Sequence, residues 1–337
     1  MSLMKEPIRV GAHTLHNRFV MAPVATELSD YGAPSPALFK YYFDRTAGGH
    51  VGLVVVEHNY ISKEGMASPK QMSAADDEST KDLRYLADLI HYNGSKAILQ
   101  INHAGAMADD TASGLPRVGP CDSDKRWNFW KMEWEPAKIH GLTKDEIKEI
   151  IQKFVDAALR AKRAGFDGCE IHSAHGFLLN EFFSPLTNHR EDEYTGSTLM
   201  GRIRLHLEII MAVREACGED FLISMRFGAL DYIEGGSTLS EAIVASEAFE
   251  QMGLDLIDLS GGMCGFTRKG HKEAGYFAGP AQAIKSAVTI PVVLTGGFTE
   301  GDEAEESLKE GKADLIGFGR SVHLKEDWPA HVMNSLQ

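Results

Sequence analysis

Short β-branched runs and longer helical stretches alternate eight times along this 337-residue sequence. The runs lie at 18–25, 52–57, 96–102, 168–172, 221–227, 256–260, 292–295 and 314–318. The helical stretches that follow them are 36–47, 79–93, 143–164, 202–217, 239–252, 280–287, 302–309 and 327–336. Parallel strands need a long crossover, usually a helix. Four such units would suit half of a doubly wound sheet, but eight in one series favour a closed α/β barrel, the (β/α)8 TIM fold. The helix ends are punctuated to match. Thr143-Lys144-Asp145-Glu146 has the form of a capping box. Gly94, Gly165, Gly218, Gly253 and Gly311 each fall just past a helix, where a left-handed residue closes the last turn. One stretch breaks the spacing: 105–140, rich in Trp, Pro and Asp, follows the third run and is expected as a long irregular loop lying over the barrel mouth as a lid. No linker or low-complexity tract interrupts the alternation, so a single domain over 1–337 is expected.

Composition narrows the partners. A net charge of −14 repels phosphate backbones and anionic lipid, making nucleic acid and membrane surfaces poor partners and a small molecule the expected one. No apolar run approaches the roughly 18 residues that cross a bilayer. The opening Met1-Ser2-Leu3-Met4-Lys5 lacks the apolar stretch of a secretion signal, so a cytoplasmic location is expected. Cys121, Cys169, Cys217 and Cys264 are widely spaced, with no CxxC pair to offer one metal two thiolates from a single turn. No metal site is expected, and four isolated thiols are expected reduced.

In a barrel the reacting groups sit at the C-terminal strand ends. Here those ends read Ala22-Pro23-Val24-Ala25-Thr26, Glu57-His58, Gln100-Ile101-Asn102-His103, His172-Ser173-Ala174-His175, Arg226, Asp258-Leu259-Ser260-Gly261-Gly262, Thr295-Gly296-Gly297-Phe298 and Gly317-Phe318-Gly319-Arg320. A Gly-Gly turn alone serves simply to leave a strand tightly. Two glycine turns at successive strand ends, one followed by Arg320, instead suggest backbone amides that cradle a phosphate. His172 and His175 are spaced so that both imidazoles can meet one substrate oxygen; paired structural histidines or metal ligands are the other readings, and metal lacks a third ligand. A strand-end arginine is commonly a salt-bridge partner. Beside a phosphate site, however, Gln100 and Arg226 suit a planar heterocycle with carbonyls and ring nitrogens. His103 fits either a ligand contact or loop packing.

Several blocks together resemble the old yellow enzyme family of NAD(P)H:flavin oxidoreductases. They are Asn17-Arg18-Phe19-Val20-Met21-Ala22-Pro23, Gln100-Ile101-Asn102-His103-Ala104-Gly105, the run from His172-Ser173-Ala174-His175-Gly176-Phe177 through Asn180-Glu181-Phe182-Phe183-Ser184-Pro185 to Tyr194, and Gly317-Phe318-Gly319-Arg320. The resemblance implies FMN as cofactor and NADH or NADPH as electron donor. By it, Pro23, Val24 and Ala25 line the flavin, Gln100 meets its pyrimidine edge, and Arg226 stabilises negative charge there. Gly296, Gly297, Gly319 and Arg320 hold the phosphate. His172 and His175 bind the activating oxygen of a substrate, and the reaction is a ping-pong hydride transfer to an electrophilic alkene conjugated to a carbonyl.

Four positions depart from the family pattern. Phe177 stands where enone reducers carry a tyrosine proton donor, leaving Tyr31, Tyr60 and Tyr232 as candidates. Ala25 replaces a hydrogen-bonding residue near the flavin, Ala106 replaces an arginine, and His58 replaces a small residue beside the ring. Phe177 keeps open a flavin-dependent dehydrogenase, an oxidative demethylase or a dienoyl-thioester reductase, and the substitutions together keep open a non-catalytic small-molecule-binding barrel. Larger relatives append iron–sulfur and nucleotide-binding segments, which are not expected here. Arg268, Lys269, His271 and Lys272 put positive charge in the 265–279 loop, either for nucleotide phosphates or simply for solvent. The family commonly forms homo-oligomers, which is the expectation for assembly.

Overall fold

The computed structural model describes residues 2–78 and 80–336. Eight parallel strands close into a barrel: β1 (Phe19–Met21), β2 (Leu53–Tyr60), β3 (Lys96–Asn102), β4 (Gly168–Ser173), β5 (Leu222–Leu230), β6 (Leu256–Gly261), β7 (Val292–Thr295) and β8 (Leu315–Phe318). Closure is made where Gly317 pairs with Val20 and Val20 with Leu53, so that β1 bridges β8 and β2. The surrounding helices are α1 (Pro36–Thr46), α2 (Thr80–Tyr92), α3 (Lys144–Arg163), α4 (Leu199–Cys217), α5 (Leu239–Gln251), α6 (Ala278–Lys285), α7 (Gly301–Lys309) and α8 (Trp328–Ser335). The expected start of the second helix, Ser79, lies outside the described residues. Thr143 and Glu146 form the reciprocal capping box at the head of α3. All five glycines placed past helix ends have positive φ, between 70° and 98°.

The pleat sorts the barrel interior into layers. Val20, Leu53, Val55, Ile98, Leu222, Leu256, Val293 and Leu315 make an apolar lower layer. A hairpin of Ile8–Val10 and His13–Leu15 adds Val10 and Leu15 to that cluster and plugs the barrel floor. Each such burial is worth roughly 1.5–3 kcal/mol. Two residues further along the same strands, the next inward positions are Gln100, Glu170, Ser224, Asp258 and Thr295. A polar layer therefore rests directly on the apolar one.

Two expectations need correction. The first strand was expected to run to Ala25 but ends at Met21, because Pro23 has no N–H to continue a ladder, and residues 22–28 leave the barrel as irregular chain. The 105–140 stretch is not an irregular loop. It contains a short helix (Asp110–Ser113) and a three-stranded sheet of Arg117–Gly119, Ser123–Asn128 and Glu133–Gly141. Its strands lack apolar alternation because cross-strand pairs hold them: Trp127 meets Trp134 edge-on at 5.4 Å, and Lys125 sits 4.7 Å over Trp134.

Gly168 shows how tightly the lower layer is built. A Cβ there would lie 2.1 Å from the Leu222 carbonyl oxygen on the neighbouring strand. Gly168→Ala is expected to destabilise the protein by at least about 2 kcal/mol, since backbone must move to admit the methyl. Thermal denaturation checks this, and an unchanged midpoint would show that β4 and β5 separate freely.

Candidate functional site

The mouth of the barrel gathers four rings from two strand ends. His172 stacks on Phe177 with centroids 4.8 Å apart, His175 stands edge-on to His172 at 5.0 Å, and His58 lies 6.4 Å from His172 and 5.9 Å from Phe177. His175 reaches this position from a left-handed backbone with φ of 61°, held by its N–H to the Gly261 carbonyl at 3.3 Å. A non-glycine residue pays for that conformation, and such strain collects at functional sites. His175 Nε2 is 2.7 Å from Ser260 Oγ. His172 Nδ1 accepts the Ala174 N–H at 3.2 Å, so its proton sits on Nε2. Burial holds the imidazoles of His172 and His175 well below their ordinary pKa, and the neighbouring imidazoles and Arg226 push the same way. Both are therefore neutral hydrogen-bond donors near neutral pH.

Beneath them lies a buried polar floor. Gln100 Nε2 donates to Glu170 Oε1 at 2.8 Å, and Ser224 Oγ donates to Glu170 Oε2 at 2.9 Å. Arg226 Nη1 donates to Asp258 Oδ2 at 2.6 Å, and Thr295 Oγ1 reaches Asp258 Oδ1 at 3.3 Å. Burial and the nearby Asp258 raise the Glu170 carboxyl to about 8. Burial likewise raises Glu57, beside His58 on β2, to about 7 although it accepts both Thr26 N–H and Thr26 Oγ1. Arg226 Nε is buried without a partner. An orphaned guanidinium N–H is costly unless something bonds it, which suits the carbonyl-and-nitrogen edge of a heterocycle above the floor.

The turn after β8 meets the first strand end, where a Cβ on Gly319 would lie 3.4 Å from Val24 Cγ2, and it is tied to the turn after β7 by Ser321 Oγ, which donates to the Phe298 carbonyl at 2.9 Å. Pro23 and Val24 are half-buried and Ala25 is exposed at this rim. Gly296 has a second reason to be glycine, since a Cβ there would stand 2.8 Å from the Tyr276 ring. Arg320 is exposed and makes no ion pair among the described residues, leaving its charge available to a phosphate. Of the positively charged loop residues, Arg268 covers the Tyr232 ring at 4.7 Å and His271 pairs with Glu273, while Lys269 and Lys272 are exposed.

His103 is loop packing. It is buried, its Nδ1 accepts the Gly105 N–H at 3.1 Å, and its ring occupies the space beside Gly65. Tyr31 is 99% exposed on a hairpin tip, and Tyr232 stacks on Phe277. Phe266, from the loop after β6, stands edge-on to His175 at 5.9 Å and meets Phe129 and Trp130 of the 123–141 hairpin. No cluster of three His, Cys, Asp or Glu residues arranged for a metal occurs among the described residues, and no described helix is long and apolar enough to cross a membrane.

The sequence profile of the NADH:flavin oxidoreductase / NADH oxidase family matches residues 4–337. The chain belongs to that family. An NADH oxidase of Thermoanaerobacter brockii is 39% identical over 95% of the chain, and an NADPH dehydrogenase of Halalkalibacterium halodurans is 37% identical over 94%. The chain spans 49% of the first relative's length and 89% of the second's; a metal reductase of Desulforamulus reducens is likewise matched over 49% of its length. Among solved structures, a 2-naphthoyl-CoA reductase complex superposes with a TM-score of 0.91 at 26% identity, covering 99% of this chain and 52% of that one. The old yellow enzyme homologue from Zymomonas mobilis gives 0.84 at 27% identity, covering 100% of this chain and 94% of that one. FMN is the family's cofactor, and the unpartnered Arg226 Nε, the Gln100 amide and the open Arg320 are a donor set that fits it.

Glu170, Asp258, Glu57 and Gln71 complete the site, though sequence reasoning assigned them no role. Their signal was register: Glu170 and Asp258 occupy inward positions two residues from His172 and Ser260. Another buried acid in this family member, Glu181, ties the loop after β3 by accepting the Ala106 N–H at 3.1 Å, and burial raises it to about 8. The folded chain then keeps a proton that the unfolded chain releases near the ordinary value of 4.5. Stability therefore falls as pH rises from the lower value towards the higher. Glu181→Gln keeps an acceptor for Ala106 and removes the titration. The variant is expected to gain on the wild type by up to about 1.4 kcal/mol per pH unit across that window and to gain no more above it. Urea unfolding at several pH values measures this, and parallel curves would refute it.

Proposed function

We propose that this chain is an FMN-dependent NAD(P)H oxidoreductase of the old yellow enzyme type that reduces an electrophilic alkene conjugated to a carbonyl. The observation that carries this reading is the pair of neutral imidazoles, His172 and His175, set over the buried Gln100–Glu170 and Arg226–Asp258 floor. When bound, FMN would supply the hydride chemistry of a ping-pong cycle between NAD(P)H and the acceptor. Gln100 and Arg226 would hold the pyrimidine edge, and Arg226 would offset negative charge gained there. Pro23, Val24, Ala25 and His58 would border the ring, and Gly296, Gly297, Gly319 and Arg320 would hold the phosphate. The Nε2–H of His172, with His175 beside it, would polarise the substrate carbonyl by hydrogen bonding without protonating it. Phe177 would pack on the substrate.

A second reading keeps the flavin and changes the substrate. Phe177 offers no proton, and no tyrosine ring contacts His172 or His175 among the described residues. A dehydrogenase or an oxidative demethylase gives hydride to the flavin and adds no proton to carbon, so neither needs a tyrosine there; the likeness to a protein described as 2-naphthoyl-CoA reductase supports a dienoyl-thioester reductase, whose proton would come from another group. Anaerobic mixing of oxidised protein with amines and saturated ketones separates the first two from alkene reduction, because only they bleach the flavin with such donors.

The visible spectrum of the purified protein, before and after anaerobic NADH and NADPH, tests the main reading. A flavin spectrum that bleaches with either nucleotide and recovers with an activated alkene is expected; a colourless protein that takes up no added FMN would overturn it, as would a bound flavin that neither nucleotide reduces. Arg226→Ala is expected to weaken FMN retention or slow its reduction at least about tenfold, the value of one charge-assisted hydrogen bond.

A further inference from the structure

His58 differs from the other strand-end residues in how its ring is held. Gln71, which is buried, points its amide at the His58 ring: Gln71 Nε2 lies 3.2 Å from His58 Nδ1. The orientation of that amide is fixed from both ends. Gln71 Oε1 accepts the Ala67 N–H at 2.7 Å, and Gln71 Nε2 also donates to Asn102 Oδ1 at 2.6 Å. Gln71 therefore presents its second N–H to His58, to Nδ1 at 3.2 Å and the backbone carbonyl at 3.4 Å, and a protonated Nδ1 would face that N–H without an acceptor. The proton of the neutral ring is then on Nε2. Burial lowers the imidazole to about 4, so the ring stays neutral near neutral pH.

His58 Nε2 makes no hydrogen bond to a described residue, yet it is not among the sealed partnerless atoms, as His103 Nε2 is. It opens onto the mouth. The rings nearest it are Phe177 and His172, the residues proposed to meet the substrate. His172 is fixed in the same tautomer by the Ala174 N–H. Two imidazoles with protonated Nε2 atoms offer nothing to a metal ion, whose ligand nitrogens must carry a free lone pair. What they offer is a pair of neutral N–H donors.

We propose that His58 is a third hydrogen-bond donor of the substrate pocket, set by Gln71, and that it selects substrates carrying a second oxygen acceptor beside the carbonyl held by His172 and His175. The inference rests on the proposed flavin site and substrate face. The chemical class it names is an unsaturated dicarbonyl or an unsaturated carbonyl compound bearing a carboxylate. Gln71 is a positioning residue, acting only through the imidazole.

Two saturated rings of similar size test this without turnover, read on the FMN-loaded protein by calorimetry: succinimide, with two carbonyls, and 2-pyrrolidinone, with one. Wild-type protein is expected to prefer succinimide about tenfold. His58→Phe, which keeps the stacking on Phe177, should bring the ratio of the two affinities to about one, while His58→Asn, which keeps an N–H donor, should restore part of the preference. Long-range proton–nitrogen NMR of histidine-labelled protein gives a readout independent of ligand. The His58 ring, identified by its absence in His58→Phe, should show a protonated Nε2 and a bare Nδ1, and Gln71→Met should mix the two tautomers. A preference that survives in His58→Phe, a protonated Nδ1 in the wild type, or a wild type that binds neither ring would each overturn the assignment. The flavin reading itself stands or falls separately, on bleaching by NADH or NADPH.

Discussion

Arg226 and Asp258 face each other at 2.6 Å with both side chains sealed from solvent, in the middle of a parallel barrel. Ion pairs of this kind are costly to bury, and an apolar pair of similar volume would often be more stable. The rest of the polar layer is arranged around that cost. Asp258 also receives Thr295, while Glu170, on the other side of Arg226, is satisfied by Ser224 and Gln100. Two acids flank one arginine, and Glu170 responds by keeping its proton near neutral pH. The local charge is then one guanidinium against one carboxylate, and Arg226 keeps an unspent Nε for a ligand.

The same positive charge sets the state of the ring cluster above it. Arg226 disfavours protonation of His172 and His175, adding to their burial and to the neighbouring imidazoles. Protonated histidines would be stronger acids, but two of them 5.0 Å apart beside a guanidinium could not both hold a charge. The arrangement therefore favours polarising a carbonyl over transferring a proton to it. A buried acid of another kind secures the frame. Asp231 accepts Ser184 Oγ, the Ser237 N–H and the Met263 N–H, tying together the loops that follow β4, β5 and β6. His175 and Phe266 hang from two of those loops, so the strained backbone of His175 is supported from outside the site.

Much of this was legible in the sequence. Alternation marked all eight strands, and the capping box and closing glycines marked helix ends, because these signals depend on a residue's immediate neighbours. The 123–141 hairpin was hidden because Trp127, Trp134 and Lys125 stabilise it across strands, and no period-two apolar pattern results. Strand-end position brought Gln100, His172, His175 and Arg226 to one end of the barrel. Glu170 and Asp258 went unassigned because an acid inside a strand carries no local sign that its partner lies on the next strand. The tautomer of His58 depends on Gln71, Ala67 and Asn102, which only the fold brings together.

Layering reconciles stability with chemistry in this barrel. The apolar layer, with Val10 and Leu15 of the hairpin plug, contains no titratable side chain and needs only close packing, as the contact of Gly168 with the Leu222 carbonyl shows. One pleat higher, every inward side chain from β3 to β7 is polar, and each of these has a partner on a neighbouring strand. Above that layer, inward side chains keep unpaired donors among the described residues, including Arg226 Nε and Nε2 of His58 and His172. The folding cost of the buried charges is borne by the layers below, and the rim loops can vary in sequence without disturbing the closure of the barrel.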